Sequence, residues 1–225
     1  MSLVQLRDQW GADCFRTCAP TILKRLPVRT IDKEILTDIG LPVLPEESLR
    51  LSMRFEVVNI VHDPNRIRLL TDCEIEKGDF FPKSDHWLNF MRHDFAKFVV
   101  IGEAPNTFEK GDNFYFNRYV CIDCRSNGVF WVSTKLRDNR NVLSLLNTSL
   151  SSYLQSLLAY KEFRDQWKLL DKEIDREQHN GLYEEKAWKI HGDFLTRLKQ
   201  LDQKIFDNGF WKCHAMNETI LMEIG

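Results

Sequence analysis

The stretch SLLNTSLSSYLQSLLAYKEF, residues 144–163, decides the fold class of this chain. Leu150, Tyr153, Leu154, Leu157 and Leu158 recur at i, i+3, i+4, i+7 and i+8, the spacing that paints one face of an α-helix. Just before them, Asn147, Thr148 and Ser149 offer short side chains whose oxygens can accept the unpaired N–H groups of a first helical turn. The helix therefore carries its own start signal. Upstream, residues 114–123 (FYFNRYVCID) and 128–134 (GVFWVST) read as two strands. Between them Asn127-Gly128 is a strong hairpin signal, because both residues tolerate positive φ, and the turn takes in Arg125 and Ser126 as well. Paired antiparallel, these strands turn Val129 and Trp131 to one side and Phe130 and Val132 to the other.

Moving outward, residues 98–102 (FVVIG) form a short continuous apolar run of the kind found in a central strand. In residues 51–57, Leu51, Met53, Phe55 and Val57 alternate with Ser52, Arg54 and Glu56, which predicts one half-buried strand. Residues 67–70 predict another, ended by the acidic run Asp72, Glu74, Glu76 and Asp79, with further β structure or a turn around Lys77-Gly78-Asp79. In residues 36–45 (LTDIGLPVLP) Gly40 and two prolines end any helix. Residues 4–27 read as two short helical pieces holding Trp10 and Phe15, the second opened by Pro20.

Beyond the capped helix the chain becomes highly charged. Phe163, Trp167, Leu170 and Ile174, then Ala187, Ile190, Phe194, Leu198, Leu201 and Ile205, repeat at helical spacing on either side of Asn180-Gly181. This pattern predicts a helical hairpin, followed by a last element over residues 210–224, expected as helix and anchored by Phe210 and Trp211. The expected organisation is an α+β core over residues 1–160, with the charged hairpin and C-terminal element of residues 161–225 packed on it as one domain.

With 225 residues, the chain can bury a sizeable core, and 15 phenylalanines and six tryptophans make that core aromatic-rich. The formal charge of −2 removes the electrostatic case for a dedicated nucleic-acid binder, which needs a basic stripe to neutralise phosphates. No apolar run approaches the roughly 20 residues that cross a bilayer, and Arg7 and Asp8 interrupt any signal-peptide core. A cytoplasmic protein that does not engage membranes is expected, and six cysteines in a chain this long suit reduced thiols.

The residues that could carry chemistry fall into separate small groups. Cys121 and Cys124 form a C-x-x-C pair, and Cys14 and Cys18 fit one helix face, but no second knuckle completes a zinc set. A redox role would place the first cysteine at a helix N-terminus, whereas this pair sits where a strand runs into a turn. His62-Asp63 and His93-Asp94 resemble pieces of a metal-dependent hydrolase, and His86 and His93 stand seven apart around Trp87 and Phe90. His62, however, follows a strand and precedes Pro64, which supplies no such scaffold, so surface or core-edge histidines are expected. Asp123 ends a strand beside a turn, where its carboxylate can accept turn N–H groups. No acyl-transfer, nucleotide-hydrolysis or dinucleotide fingerprint is present. No catalytic, metal or cofactor site is expected.

Four blocks together carry a resemblance. Ile39-Gly40-Leu41-Pro42 precedes the first strand and Val100-Ile101-Gly102 opens the middle; Cys121-Ile122-Asp123 with Asn127-Gly128-Val129 forms the hairpin; Leu146 to Leu150, with Tyr153-Leu154 and Leu157, starts the helix. This succession resembles the SUKH superfamily, most closely its fourth subgroup, found largely in bacterial polymorphic toxin–immunity loci. Trp10 and Phe210-Trp211 look like that family's flanking aromatics.

The resemblance implies an α+β fold, a twisted and mostly antiparallel sheet with surrounding helices, here with a C-terminal helical extension. It implies a non-catalytic protein that binds and neutralises a cognate protein toxin, commonly a nuclease or deaminase. It casts Gly40, Gly102 and Gly128 as sources of backbone freedom. Against a basic toxin, Asp72, Glu74, Glu76 and Asp79 are the candidate contact. The alternatives are a regulatory scaffold like the family's fungal relatives, docking through the charged hairpin, and a metal-dependent hydrolase using His62, Asp63, His93 and Asp94.

Overall fold

Two residues of glycine-dependent backbone organise the N-terminal third. The computed structural model describes residues 3–42, 49–53, 56–77, 95–104, 116–135, 142–174, 180–208 and 211. Helix α1 (Leu3–Trp10) ends at Gly11, whose φ of 106° turns the chain into a 3-10 turn at Ala12–Cys14 and strand β1 (Phe15–Arg16). Helix α2 (Pro20–Leu23) starts on Pro20, whose missing N–H is one the first turn leaves unpaired anyway. Helix α3 (Thr30–Glu34) runs into a π-helical turn at Ile35–Ile39, and Gly40 stops it at φ 87°. Strand β2 (Leu41–Pro42) then pairs antiparallel with β1. Any Cβ on Gly40 would lie 2.2 Å from the Arg16 carbonyl oxygen, so the Ile39-Gly40-Leu41-Pro42 turn requires glycine on two counts.

Strands β3 (Leu49–Met53) and β4 (Glu56–Ile60) form an antiparallel ladder of their own with Leu51 opposite Val58. The single strand expected over residues 51–57 is thus two. Its alternation ran through the reversal because no Gly, Pro, Asn or Asp stands there to mark a turn.

The main sheet follows. Strand β5 (Arg68–Leu69) leads directly into helix α4 (Leu70–Lys77); then come β6 (Phe98–Ala104), β7 (Phe116–Asp123), β8 (Val129–Lys135) and β9 (Val142–Asn147). All neighbours are antiparallel, in the order β5-β6-β7-β8-β9. The apolar run of β6 is buried on both faces, as an interior strand should be: Val99 and Ile101 join one core cluster, Phe98 and Val100 the other. The hairpin faces follow the alternation in the sequence, with Val129 and Trp131 in the first cluster and Val132 and Phe130 at the second.

The glycines of this sheet work differently from expectation. Asn127 takes the positive φ, 63°, while Gly128 does not; instead a Cβ there would sit 2.9 Å from the Phe130 ring and 3.0 Å from Leu145 Cδ1. Gly128 provides room rather than freedom. Gly102 lies at a β-bulge, where the register against β7 jumps between Val100 and Gly102.

Strand β9 was not expected. A second bulge places Asn147 opposite Val129 but Leu145 opposite Phe130, leaving Leu146 as the extra residue and breaking the alternation that would have marked a strand. Ser149 rather than Asn147 caps the next helix: its hydroxyl accepts the Ser152 N–H at 3.1 Å, and the Ser152 hydroxyl accepts the Ser149 N–H at 3.2 Å.

Helix α5 (Leu150–Glu173) is one continuous rod of 24 residues, so the capped helix and the first arm of the hairpin are a single element. Charge density changes along it, but no Gly or Pro interrupts it. Its first half is buried nearly all round, and its second half packs against helix α6 (Asn180–Leu201) through stacked Phe163 and Phe194, 4.8 Å apart. Arg197 pairs with Glu162 at one end of that contact, and the Tyr183 hydroxyl donates to Asp171 at the other. Helix α7 (Gln203–Asn208) follows. Of the expected tail element over 210–224, the structure describes Trp211, which is buried; Phe210 and the remainder lie outside the described residues.

Candidate functional site

As far as Lys77, the acidic run is helical. Asp72, Glu74 and Glu76 all lie within α4, with Leu70 and Cys73 fully buried beneath it against the second core cluster and Asp72 exposed. The helix runs as far as Lys77; Gly78 and Asp79, on which the expected β structure or turn around Lys77-Gly78-Asp79 falls, lie outside the described residues. The physical reason for the helix is the burial of Leu70 and Cys73, three apart, which rewards helical rather than alternating geometry. Asp72 and Glu76 stand four apart on that helix, one turn from each other.

His62 is consumed by the fold. It is 2% exposed, its Nε2 lies 3.1 Å from the Tyr153 hydroxyl of α5, and the ring also bonds the Pro42 backbone. Burial pushes its pKa from 6.5 down to about 4, so the ring is neutral at pH 7. The same burial pushes the Tyr153 phenol upward. Asp63 accepts the Asn65 N–H at 2.9 Å and caps the 3-10 turn Pro64–Arg66. His86, Trp87, Phe90, His93 and Asp94 lie outside the described residues. Among the described residues, no group of three or more His, Cys, Asp or Glu side chains could hold a metal ion.

The cysteines separate in space. Cys14 ends a 3-10 turn and Cys18 lies beyond β1, so they do not share the helix face expected of them; Phe15 and Arg16 pair with Pro42 and Leu41 instead of continuing a helix. Cys121 is buried in the second cluster, while Cys124 is half-buried in the turn. Burial, helped by the carboxylates of Asp123 and Asp32, pushes the Cys124 thiol up to about 11, away from the thiolate that redox or metal chemistry uses.

Asp123 does what its position implied. The Arg125 N–H donates to Oδ1 at 3.1 Å, the Ser126 hydroxyl to Oδ2 at 2.8 Å, and the Arg125 guanidinium also reaches Oδ1. Burial raises its pKa, but these donors outweigh that and hold it below the usual carboxylate range. Arg125 also lies over the Phe98 ring, 5.8 Å from its centroid, so the turn is stitched to β6.

A polar junction that sequence reasoning missed joins β9, α5 and α7. Asp202 is buried between α6 and α7, and its Oδ2 accepts the Thr148 N–H at 2.8 Å, the Thr148 hydroxyl at 2.6 Å and the Ser152 hydroxyl at 3.2 Å. The fully buried Asn147 side chain donates to Ser156 at 2.9 Å. The Trp211 indole donates to the Leu146 carbonyl at 3.0 Å and meets Asn147 Oδ1 at 3.3 Å. Thr148 and Asp202 are 54 positions apart, so no local pattern announces them. A carboxylate at the start of α5 also suits the positive end of that helix.

On the outer face of the hairpin, Trp188 is 56% exposed and stands beside His191, with Leu169 and Leu182 exposed on the same pair of helices. His191 is buried, which lowers its pKa. Among the described residues, no helix is long and apolar enough to cross a membrane.

A family model described as SUKH-4 immunity protein matches residues 2–216. No curated protein and no solved structure matches the chain.

Proposed function

The chain belongs to the SUKH-4 immunity protein family, and on that premise we propose that it neutralises a cognate bacterial protein toxin by binding it directly in the cytoplasm. The toxin is of nuclease or deaminase class, and the protein blocks it by occupying its active cleft, with no reaction of its own. The observation that carries this reading is a family match across nearly the whole chain, so that both the sheet and the hairpin fall within the family's pattern. It is supported by the way His62, Asp63, Asp123 and Asp202 spend their polar atoms on internal bonds.

For a basic toxin, the contact we propose is Asp72, Glu74, Glu76 and Asp79. Like-signed charges on one short segment speed encounter with a positive cleft and add specificity more than raw affinity. The test is to co-express the protein with the toxin encoded beside it and measure binding and residual toxin activity. Binding with loss of toxin activity is expected. Changing the four acids together to Asn and Gln should slow association at least tenfold at low salt. A matched toxin that neither binds nor loses activity sinks the proposal.

The exposed Trp188, Leu169 and Leu182 favour a second reading, a scaffold docking through the hairpin. Deleting the hairpin would cut through α5 and the core, so Trp188→Ser is the cleaner test: loss of toxin binding there, with the acidic variant unaffected, would move the contact to the hairpin.

A further inference from the structure

One face of α6 is spent on the chain's own core. Tyr183, Ala187, His191, Phe194 and Leu198 are buried, so the opposite side of the helix looks outward. Glu185, Trp188, Gly192, Thr196 and Lys199 lie along that outer side, all of them exposed, within an arc of about 80° at 100° per residue. Two features there cost the isolated chain stability. Trp188 is the largest apolar side chain left exposed among the described residues. Gly192 is an exposed glycine inside a helix, where alanine would serve better, and a Cβ on it would meet nothing within 4 Å.

The five positions are symmetric about Gly192. Counted from it, Trp188 and Thr196 stand at −4 and +4, and Glu185 and Lys199 at −7 and +7. The two charges therefore lie about 10.5 Å to either side of the glycine. A second α6 crossing antiparallel at Gly192 brings Glu185 of each copy to Lys199 of the other, and each Trp188 to Thr196 of the other. A parallel crossing would set Glu185 on Glu185 and Lys199 on Lys199, so charge selects the antiparallel arrangement. Lys199 is also engaged within its own chain, and an ammonium has three donors to divide. At the crossing point the bare Gly192 lets two helix backbones come close enough for the indoles to reach across.

We propose that the outer face of α6 is a self-docking surface, through which two copies of this chain pair antiparallel about a two-fold axis at Gly192. Each copy contributes one indole, one carboxylate and one ammonium. A single helix face from each copy is small against the surface that a stable interface buries, so the pairing is weak and depends on concentration. It forms without a toxin, so its failure would leave the toxin reading standing.

The test is sedimentation velocity of the full-length chain from about 1 μM to about 1 mM, a span that reaches weak specific contacts. The parent should shift from monomer towards dimer as concentration rises. Gly192→Leu should weaken association about tenfold or more by placing a side chain at the crossing, while the thermal midpoint of the dilute protein does not fall, because leucine is the better helix former. Glu185→Lys and Lys199→Glu should each weaken association about tenfold, since either change turns both ion pairs into repulsions. Mixed one to one, those two variants should associate as the parent does, because the mixed pair has opposite charges at both contacts. A parent that stays monomeric throughout would overturn the proposal, as would association that these variants leave unchanged, or a mixture that pairs no better than either variant alone. A monomeric parent whose Trp188→Ser variant loses toxin binding would give this face to the toxin instead.

Discussion

Replacing Gly40 by alanine should be the most damaging methyl group that can be added to the described part of this chain. Gly40 sits at φ 87°, where an L-residue is strained by about 1–3 kcal/mol. The new Cβ would also lie 2.2 Å from the Arg16 oxygen, 2.5 Å from its carbonyl carbon and 2.9 Å from the Thr17 nitrogen. All three are backbone atoms, so no rotamer change relieves the clash. Strands β1 and β2 must part, loosening the buried Phe15 and Leu41, at a cost on the order of 1–3 kcal/mol more. The sum is about 2–6 kcal/mol, a large share of the roughly 5–15 kcal/mol that holds a domain folded. With a urea slope of about 2 kcal/mol per molar, the midpoint should fall by about 2 M. The internal control is Gly192→Ala, on the exposed face of α6 with nothing within 4 Å of its Cβ, which should stabilise by about 1 kcal/mol. The same chemical change should thus act with opposite signs at two positions. A Gly40→Ala protein that loses under 1 kcal/mol would refute the steric reasoning.

Other expectations follow from the same contacts. The unfolded chain protonates His62 near pH 6.5 but the native chain only near pH 4, so stability is complete above pH 6.5 and falls by roughly 3 kcal/mol as pH drops through that window. Denaturation midpoints from pH 7.5 to 4 should show a shallower slope for His62→Gln than for the parent, and His191 adds to the parent slope in the same direction. Asp202→Ala strands the Thr148 N–H and hydroxyl and should cost about 2–3 kcal/mol by urea titration, while exposed Lys199→Ala should cost under about 0.5. Gly128→Ala should cost about 1–3 kcal/mol, less than Gly40→Ala, because the Phe130 and Leu145 side chains can give way. Thermal melts of the two glycine variants together would test that order.

The parts of the fold legible in the sequence were those written in local chemistry. The β7–β8 hairpin announced itself through alternation and Asn127, the end of α3 through Gly40, and the start of α5 through Ser149. Strand β9 was hidden by Leu146, whose bulge throws the period of two out of step. The sequence between β3 and β4 holds no Gly, Pro, Asn or Asp to mark an end, and the helix under the acidic run shows few apolar positions, with Leu70 and Cys73 buried among the described residues. The junction around Asp202 was invisible for a different reason: its partners lie some 50 positions away, and ordinary polar residues carry no mark of where they will land. The candidate contact was readable as charge but not as a helix.

Helix α5 belongs at once to the sheet's core and to the hairpin, and this restricts how the gene can change length. Each residue inserted into a helix turns everything beyond it by about 100° and advances it by about 1.5 Å. One extra residue between Phe163 and Trp167 would swing Trp167, Leu170 and Ile174 away from α6. Seven would return them to within about 20° of their present heading. Insertions and deletions that survive in this rod should therefore come in whole turns, so that descendants of this chain lengthen or shorten the hairpin in steps rather than by single codons.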